Sequence, residues 1–137
     1  MSFKISALKA KTNSVPVAVK HPVTGEDLVD DQGKVVYVYL YGKASKQYRD
    51  FNDARLKKAL EQQKIAKKIT PPDLTVDKIR KDSIEFSVAC SDRIDMIDED
   101  GNEINTAEAF TKLYSDPDYY WLLDQVNAAI ENDSNFF

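Results

Sequence analysis

The sequence predicts an α+β fold, in which a small N-terminal antiparallel β-sheet is followed by a mainly helical C-terminal part. Residues 35–41 read V-V-Y-V-Y-L-Y, and β-branched and aromatic residues in this arrangement are typical of a strand. After residue 42, apolar residues recur at steps of three and four, which is helical spacing. A chain of 137 residues, 42% of them hydrophobic, can bury the core of one compact domain.

The first region, residues 1–42, is expected to contain an N-terminal arm and the sheet. Residues 1–14 are interpreted as a loose arm or an edge strand. Apolar residues alternate over residues 15–19, which predicts a strand. Proline is tolerated only at the start of a strand or in an edge strand, so Pro16 must occupy one of these positions.

A hairpin turn is predicted at residues 30–34, where Gly33 can adopt a positive φ. In the strand that follows, Val36, Val38 and Leu40 share one face, which we expect to be core. The tyrosines lie on the opposite face, where their hydroxyls tolerate water.

The second region, residues 43–137, is expected to contain four helices. The first, at residues 45–68, is long and basic, with Ser45 as its N-cap. Its apolar residues are few and only partly helical in spacing, so we expect it to be largely exposed or to pack on a partner. Residues 70–73, T-P-P-D, end this helix, and Pro71 and Pro72 are the candidate hinge.

A central buried helix is predicted at residues 76–97. Its apolar stripe consists of Ile79, Ser83, Phe86, Cys90, Ile94 and Ile97. We expect this helix to pack on the closing helix, and we expect Cys90 to be buried.

A short helix is predicted at residues 107–114, with Thr106 as its N-cap. The closing helix is predicted at residues 117–132. Asp116 is its natural N-cap, and Pro117 occupies the first helical position, where its missing N–H costs nothing.

Charge is unevenly distributed along the chain. Residues 43–68 contain nine Lys/Arg and three Asp/Glu, whereas residues 91–133 contain two Lys/Arg and twelve Asp/Glu. Such segments either neutralise each other in the fold or bind partners of opposite sign. The basic segment Lys43–Lys68 supports an alternative function as a nucleic-acid-binding or regulatory protein. The net charge of −4 favours a solvated face or a docking site for an acidic protein instead.

The residues that carry most enzyme chemistry are scarce. One histidine, His21, and one cysteine, Cys90, make a poor metal site, and the four glycines form no phosphate-binding loop. The turn at residues 98–103 resembles the opening of a calcium-binding loop, but it has Glu103 where that loop needs glycine. We therefore expect no enzyme activity, no catalytic residue, no metal and no cofactor.

The chain is expected to lie in a cytoplasm, without membrane association. No apolar run approaches the roughly 20 residues that span a bilayer. Residues 1–6 lack the apolar block of a signal peptide, and a single cysteine fits a reducing compartment.

Two blocks of the sequence carry a family resemblance. The first is Y-G-K-A-S-K-Q-Y-R at residues 41–49, which follows a strand and begins a charged helix. The second is L-Y-S-D-P at residues 113–117, together with Trp121, Gln125, Val126, Asn135 and Phe136. These blocks resemble the tail assembly chaperones of long-tailed bacteriophages, and the resemblance spans roughly residues 35–137. The acidic turn with Asp100 and Gly101 before a short helix also fits the layout of that family.

The resemblance implies a non-enzymatic protein of the host cell cytoplasm that is absent from the mature virion. It implies binding to the tape-measure protein, which is kept soluble, and recruitment of the tail-tube protein around it. Homo-oligomerisation and a longer, frameshifted form stay open. Such binding needs exposed apolar or aromatic anchors within a charged surface. The resemblance does not specify them, and from the sequence we select Tyr120, Trp121, Phe136, Phe137, Lys46, Arg49, Arg55 and Lys58.

Overall fold

The α+β fold is confirmed in the computed structural model, which describes residues 4–65 and 75–137. Four strands form one antiparallel sheet in the order β1-β2-β3-β4. The strands are β1 (Val15–Ala18), β2 (Tyr37–Leu40), β3 (Ser91–Ile97) and β4 (Glu103–Ile104). The helices are α1 (Lys46–Ile65), α2 (Val76–Ala89), α3 (Ala107–Ser115) and α4 (Tyr120–Glu131).

The predicted edge position of Pro16 is confirmed, because β1 is an outer strand of the sheet. The alternation predicted around β2 is also confirmed: Val36, Val38 and Leu40 are buried, whereas Tyr37 and Tyr39 are half-buried. One face of the sheet therefore supplies the core.

The hairpin turn at residues 30–34 is formed as predicted, with Gly33 at φ 77°. The Asp30 amide donates to the Lys34 carbonyl at 2.8 Å, and Asp30 Oδ1 accepts from the amides of Gln32 and Lys34. The turn at residues 98–102 repeats this arrangement around Asp98. The acidic turn that resembles a calcium loop is therefore a hairpin turn between β3 and β4.

The predicted helix at residues 76–97 is wrong in its second half, because α2 ends at Ala89 and the chain enters the sheet as β3. Within β3, buried Ile94 lies between exposed Arg93 and Asp95, so burial follows the period of two of a strand. Ile97, placed on the buried stripe by helical spacing, is 67% exposed. The predicted burial of Cys90, between α2 and β3, is confirmed.

The long helix α1 begins at the predicted N-cap. The Ser45 hydroxyl oxygen accepts from the Tyr48 amide at 3.1 Å, as an N-cap does, and α1 runs to Ile65. The predicted end of this helix at residues 66–68 and the candidate hinge at Pro71 and Pro72 lie outside the described residues. In the N-terminal arm, residues 5–8 form a 3₁₀ turn.

The two helices near the C-terminus begin at the predicted caps. Thr106 Oγ1 accepts from the Ala109 amide at 3.1 Å, and Asp116 Oδ1 accepts from the Asp118 amide at 3.0 Å. The closing helix opens with a 3₁₀ turn, Pro117–Tyr119, which continues into α4. The buried side chains of α4 are Leu122, Leu123, Val126 and Ile130.

The predicted packing of the central helix on the closing helix is confirmed by a polar bridge. The Asn127 amide nitrogen donates to Ser83 Oγ at 2.5 Å, and Asn127 Oδ1 accepts from Ser87 Oγ at 3.0 Å. Ser87 is fully buried, so this bridge satisfies a hydroxyl inside the interface between α2 and α4.

Candidate partner-binding surface

Helix α1 is joined to the body at its first turn. Ser45 is fully buried, and its hydroxyl donates to the Gly42 carbonyl at 2.6 Å. Beside it, the Lys43 ammonium lies 3.2 Å from an Asp133 carboxylate oxygen. The hydrogen bond and the charge of Asp133 raise the pKa of Lys43. The start of α1 is thus fixed to the C-terminal segment of the chain.

An aromatic cluster joins α1 to α2. The ring centroids of Tyr48 and Phe51 lie 5.4 and 5.5 Å from that of Phe86. The Arg55 guanidinium lies 5.2 Å from the Phe51 centroid, and its Nη1 is 2.9 Å from Asp82 Oδ2. Ring packing, a cation–π interaction and an ion pair thus occur together where α1 contacts α2.

The same contacts establish that α1 and α2 form an antiparallel helical hairpin. Phe51 meets Phe86, and four residues further along α1, Arg55 meets Asp82, which lies four residues nearer the start of α2. By this register, the part of α1 after Arg55 runs beside the first turn of α2.

At this end of the hairpin, large apolar side chains are exposed. On α1 they are Leu56 (61% exposed) and Leu60 (51%), which we call the hairpin-end surface, and on α2 they are Val76 (73%) and Ile79 (56%). Leu56 and Leu60 are four residues apart, so they lie on one side of α1. Ile79 was assigned to the buried stripe of the central helix from the sequence, and its exposure corrects that assignment.

Positive charge accompanies the exposed leucines. Helix α1 contains six Lys/Arg and three Asp/Glu, and Lys57 and Lys58 follow Leu56 directly. Both lysines are exposed. The arrangement of apolar side chains among cations is suited to a partner helix with an apolar stripe flanked by carboxylates.

The selected basic residues fall into two groups. All four are exposed, and two of them, Arg49 and Arg55, also have contacts within the chain. Arg49 Nε donates to the Ser45 carbonyl at 3.3 Å, and Arg55 pairs with Asp82. The Arg49 bond joins α1 to its own N-cap residue, whereas the Arg55 pair links α1 to α2.

Three of the four selected aromatic side chains are buried or half-buried. Phe136 is 3% exposed, which corrects its selection as a surface anchor. Tyr120 is half-buried, with the Arg80 guanidinium 3.9 Å from its ring centroid, and Trp121 is half-buried against the core. Phe137 is 60% exposed. The closing aromatic pair is thus divided, with one ring in the core and one at the surface.

Two of the buried groups that can titrate, Cys90 and Tyr114, have raised pKa values. Burial, with a smaller contribution from the charge of Glu131, raises the pKa of the Cys90 thiol to about 12. Burial also raises the pKa of Tyr114, although its hydrogen bond with Ser91 opposes this shift. A thiol that stays protonated is a poor nucleophile.

The described part of the chain has no cluster of metal-ligating side chains and no membrane-spanning helix. In residues 4–65 and 75–137, no three side chains of His, Cys, Asp or Glu come together as a metal site would require. Among the helices described here, none is long and apolar enough to cross a bilayer.

The sequence missed the hairpin-end surface for an identifiable reason. Leu56 and Leu60 are rotated around α1 from Tyr48 and Phe51, so they do not continue the stripe that faces α2. The partly helical spacing of the apolar residues in this part of the sequence reflects two separate apolar faces of α1.

No family model, curated protein or solved structure matched this chain.

Proposed function

We propose that this protein is a virus-encoded tail assembly chaperone, which binds the tape-measure protein, keeps it soluble and promotes assembly of the tail tube around it. The proposal includes a non-enzymatic role in the host cell cytoplasm and absence from the mature virion. It rests on the resemblance of residues 41–49 and 113–117 to that family, and on one structural observation. That observation is the hairpin-end surface, where apolar side chains are exposed beside lysines.

Exposed apolar side chains grouped at one end of a structure are typical of sites that bind other proteins. A tape-measure protein is expected to be long and helical, so its unassembled segments would expose apolar stripes. Leu56 and Leu60 on α1 are spaced to contact successive turns of such a stripe. The lysines beside them would favour segments flanked by Asp and Glu.

The proposal is tested by co-expressing the chain with the tape-measure protein encoded near it. A chaperone should bring the tape-measure protein into the soluble fraction and purify with it. Replacing both leucines (Leu56→Glu with Leu60→Glu) should return the tape-measure protein to the pellet. Both side chains are more than half exposed, so the variant should stay folded.

Val23→Glu is the control, because it introduces one glutamate, where the test variant has two, at an apolar side chain that is 86% exposed in a separate turn. It should leave co-purification unchanged. If the wild-type chain is folded and never associates with the tape-measure protein, the chaperone function is wrong.

The alternative function is separated by a gel shift with DNA and RNA at moderate salt. Binding that weakens steeply with salt, and that Lys57→Glu with Lys58→Glu abolishes, would favour the nucleic-acid-binding function. A chaperone predicts no such shift.

A further inference from the structure

A cleft with apolar walls lies beside the end of β3. Residues 28–31 form one wall and residues 93–97 the other, and the cleft has a volume of about 550 Å³. Val36 and residues 103–105 complete its lining. The volume lies within the range of pockets that bind small ligands, so there is room for bulky side chains of a partner.

The main chain at this cleft is already hydrogen-bonded. The Val36 amide donates to the Leu28 carbonyl at 2.8 Å, and the Val36 carbonyl accepts from the Val19 amide at 2.9 Å. The Tyr37 amide donates to Asp95 Oδ2 at 3.3 Å. An occupant therefore gains no ladder of main-chain bonds from these groups. This favours a helix, whose own main chain is bonded internally, over an extended segment.

Apolar side chains line the cleft at two depths. Val36, Ile94 and Ile104 are buried, whereas Val29 is 52% exposed and Ile97 is 67% exposed. Exposed apolar side chains grouped at a concave site are typical of surfaces that bind other proteins. A bulky apolar side chain of a partner would cover the exposed pair and contact the buried residues below it.

The charge of the lining selects the occupant. Among the lining residues described here, Arg93 supplies the one cation, and its guanidinium lies 4.0 Å from the centroid of the Tyr39 ring. An apolar segment flanked by Lys or Arg is therefore favoured over an acidic one. The carboxylates that would meet those cations belong to four exposed residues, Asp30, Asp31, Asp95 and Glu103.

The hairpin-end surface combines apolar side chains with the opposite charge. Leu56 and Leu60 are 61% and 51% exposed, and the two lysines that follow Leu56 are exposed as well. These leucines, and the pair Val29 and Ile97, are each more than half exposed, so the two surfaces do not cover each other within one chain. The chain therefore presents two separate apolar surfaces, one among cations and one among carboxylates.

We propose that the cleft is a second partner-binding site, which accepts a helix whose apolar stripe is flanked by Lys and Arg. The bulky apolar side chains of that helix enter between residues 28–31 and residues 93–97, and its cations meet the carboxylates of the rim. Binding of such a helix by the cleft does not depend on the proposed function. Only the use of both surfaces by a chaperone, for client segments of opposite charge, rests on that function.

The test titrates the full chain, labelled with ¹³C at its Ile, Leu and Val methyl groups, with two synthetic peptides at low salt. One peptide repeats Lys-Leu-Leu-Lys and the other repeats Glu-Leu-Leu-Glu, each over about 16 residues so that a helix can form. The lysine peptide should shift the methyl signals of Val29, Ile94 and Ile97, whereas the glutamate peptide should shift those of Leu56 and Leu60. Replacing the leucines of the lysine peptide by serine keeps its charge and should weaken its binding at least about tenfold.

Charge variants supply a second line of the test. Asp31→Asn with Glu103→Gln should weaken binding of the lysine peptide about fivefold at low salt, since each rim carboxylate contributes modestly. The same variant should leave binding of the glutamate peptide to the hairpin-end surface unchanged. The control, Glu26→Gln with Asp124→Asn, removes two exposed carboxylates outside the cleft lining and should leave binding of the lysine peptide unchanged.

Several outcomes would overturn the proposal. They are the absence of cleft shifts at millimolar lysine peptide, equal binding of the serine-substituted peptide, and shifts by the lysine peptide at the hairpin-end surface in place of the cleft. Cleft shifts that appear with protein concentration alone would also overturn it, because they would assign the cleft to a second copy of the chain. The peptide comparison uses the unaltered protein, and its outcome is independent of whether the tape-measure protein binds.

Discussion

The ring of Phe136 lies directly on Gly42, in the space that a side chain at residue 42 would need. A Cβ added to Gly42 would be 2.5 Å from Phe136 Cγ and 2.7 Å from both Cδ atoms. Gly42 lies between the end of β2 and the cap of α1, so the C-terminal segment closes over the junction between sheet and helix. Here glycine is required by close approach, and its φ is not positive.

Gly42→Ala should therefore destabilise the protein by about 1–3 kcal/mol, which is the usual cost of overpacking a core. Urea unfolding monitored by circular dichroism measures this difference. The cost should be smaller when Gly42→Ala is made in a Phe136→Leu background, because the smaller side chain yields space. Equal costs in both backgrounds would mean that the ring and the glycine are not coupled.

At Arg55, we expect ring packing to contribute more to the free energy of unfolding than the ion pair with Asp82. Asp82→Asn removes the ion pair but leaves the guanidinium on its rings, and since both partners are about half exposed it should cost less than about 1 kcal/mol. Arg55→Ala also removes the contacts with Phe51 and Phe86, and should cost about 1–2 kcal/mol.

Denaturant unfolding of both variants, at low and high salt, checks this order. Arg55→Met is the matched control, because it keeps an apolar stem over the rings without the charge. A larger loss for Asp82→Asn than for Arg55→Ala would show that the ion pair dominates.

The polar bridge at Asn127 predicts a defined loss of stability. Asn127→Ala leaves the hydroxyl of fully buried Ser87 without its amide partner, which should cost about 1–3 kcal/mol. The exposed neighbour Asp124 supplies the control, since Asp124→Ala on the same helix should change stability by less than about 0.5 kcal/mol. Thermal and urea unfolding of the two variants provide the comparison, and equal effects would contradict a structural role for the bridge.

Cys90 should be unreactive in the folded protein. Its side chain is fully buried, and its thiol pKa is raised to about 12, so little thiolate is available near pH 8. A thiol reagent such as Ellman's reagent should modify Cys90 slowly in buffer and rapidly in concentrated urea. Rapid modification of the folded chain would contradict this burial.

Alkaline pH should destabilise the protein in the same region. The thiol pKa is higher in the folded chain than its ordinary value of 9.0, so the neutral thiol favours folding below pH 9.0. That contribution is lost as pH rises from 9.0 towards about 12, with a slope of at most about 1.4 kcal/mol per pH unit for one group.

Burial of Tyr114 and of Tyr41 shifts stability in the same direction, since their pKa values are also raised. Cys90→Ala therefore isolates the thiol: its stability should fall less steeply over this pH range than that of the wild type. Parallel pH profiles would show that the tyrosines alone account for the alkaline loss.

Local chemistry predicted much of the fold. Asp30 and Gly33 specify a hairpin turn, and the caps Ser45, Thr106 and Asp116 begin their helices where the sequence placed them. In each case a side chain bonds to nearby backbone amides, or a glycine adopts a positive φ, so no distant contact is needed.

Prediction from the sequence was wrong at residues 91–97, where distant pairing decides. Ile94 and Ile97 fit the spacing of a helix, but Ile94 pairs with Val38 on one side and Ile104 on the other. Likewise, the candidate anchor Phe136 is buried because Gly42 offers its ring a site. Neither the strand partners of Ile94 nor the contact of Phe136 with Gly42 can be recognised from a short window of sequence, because the residues involved are far apart in the chain.

The position of β3 in the sheet bears on how the chain folds during synthesis. β2 ends at Leu40, whereas its neighbour β3 begins at Ser91, after both helices of the hairpin. A ribosome-bound chain that has emerged only to the end of α1 therefore has two paired strands, which are marginal in water on their own. The sheet gains its third strand, and Gly42 its covering ring, only when later segments emerge. The nascent protein should thus stay accessible to proteases and to chaperones that bind unfolded chains until nearly all of it has been translated.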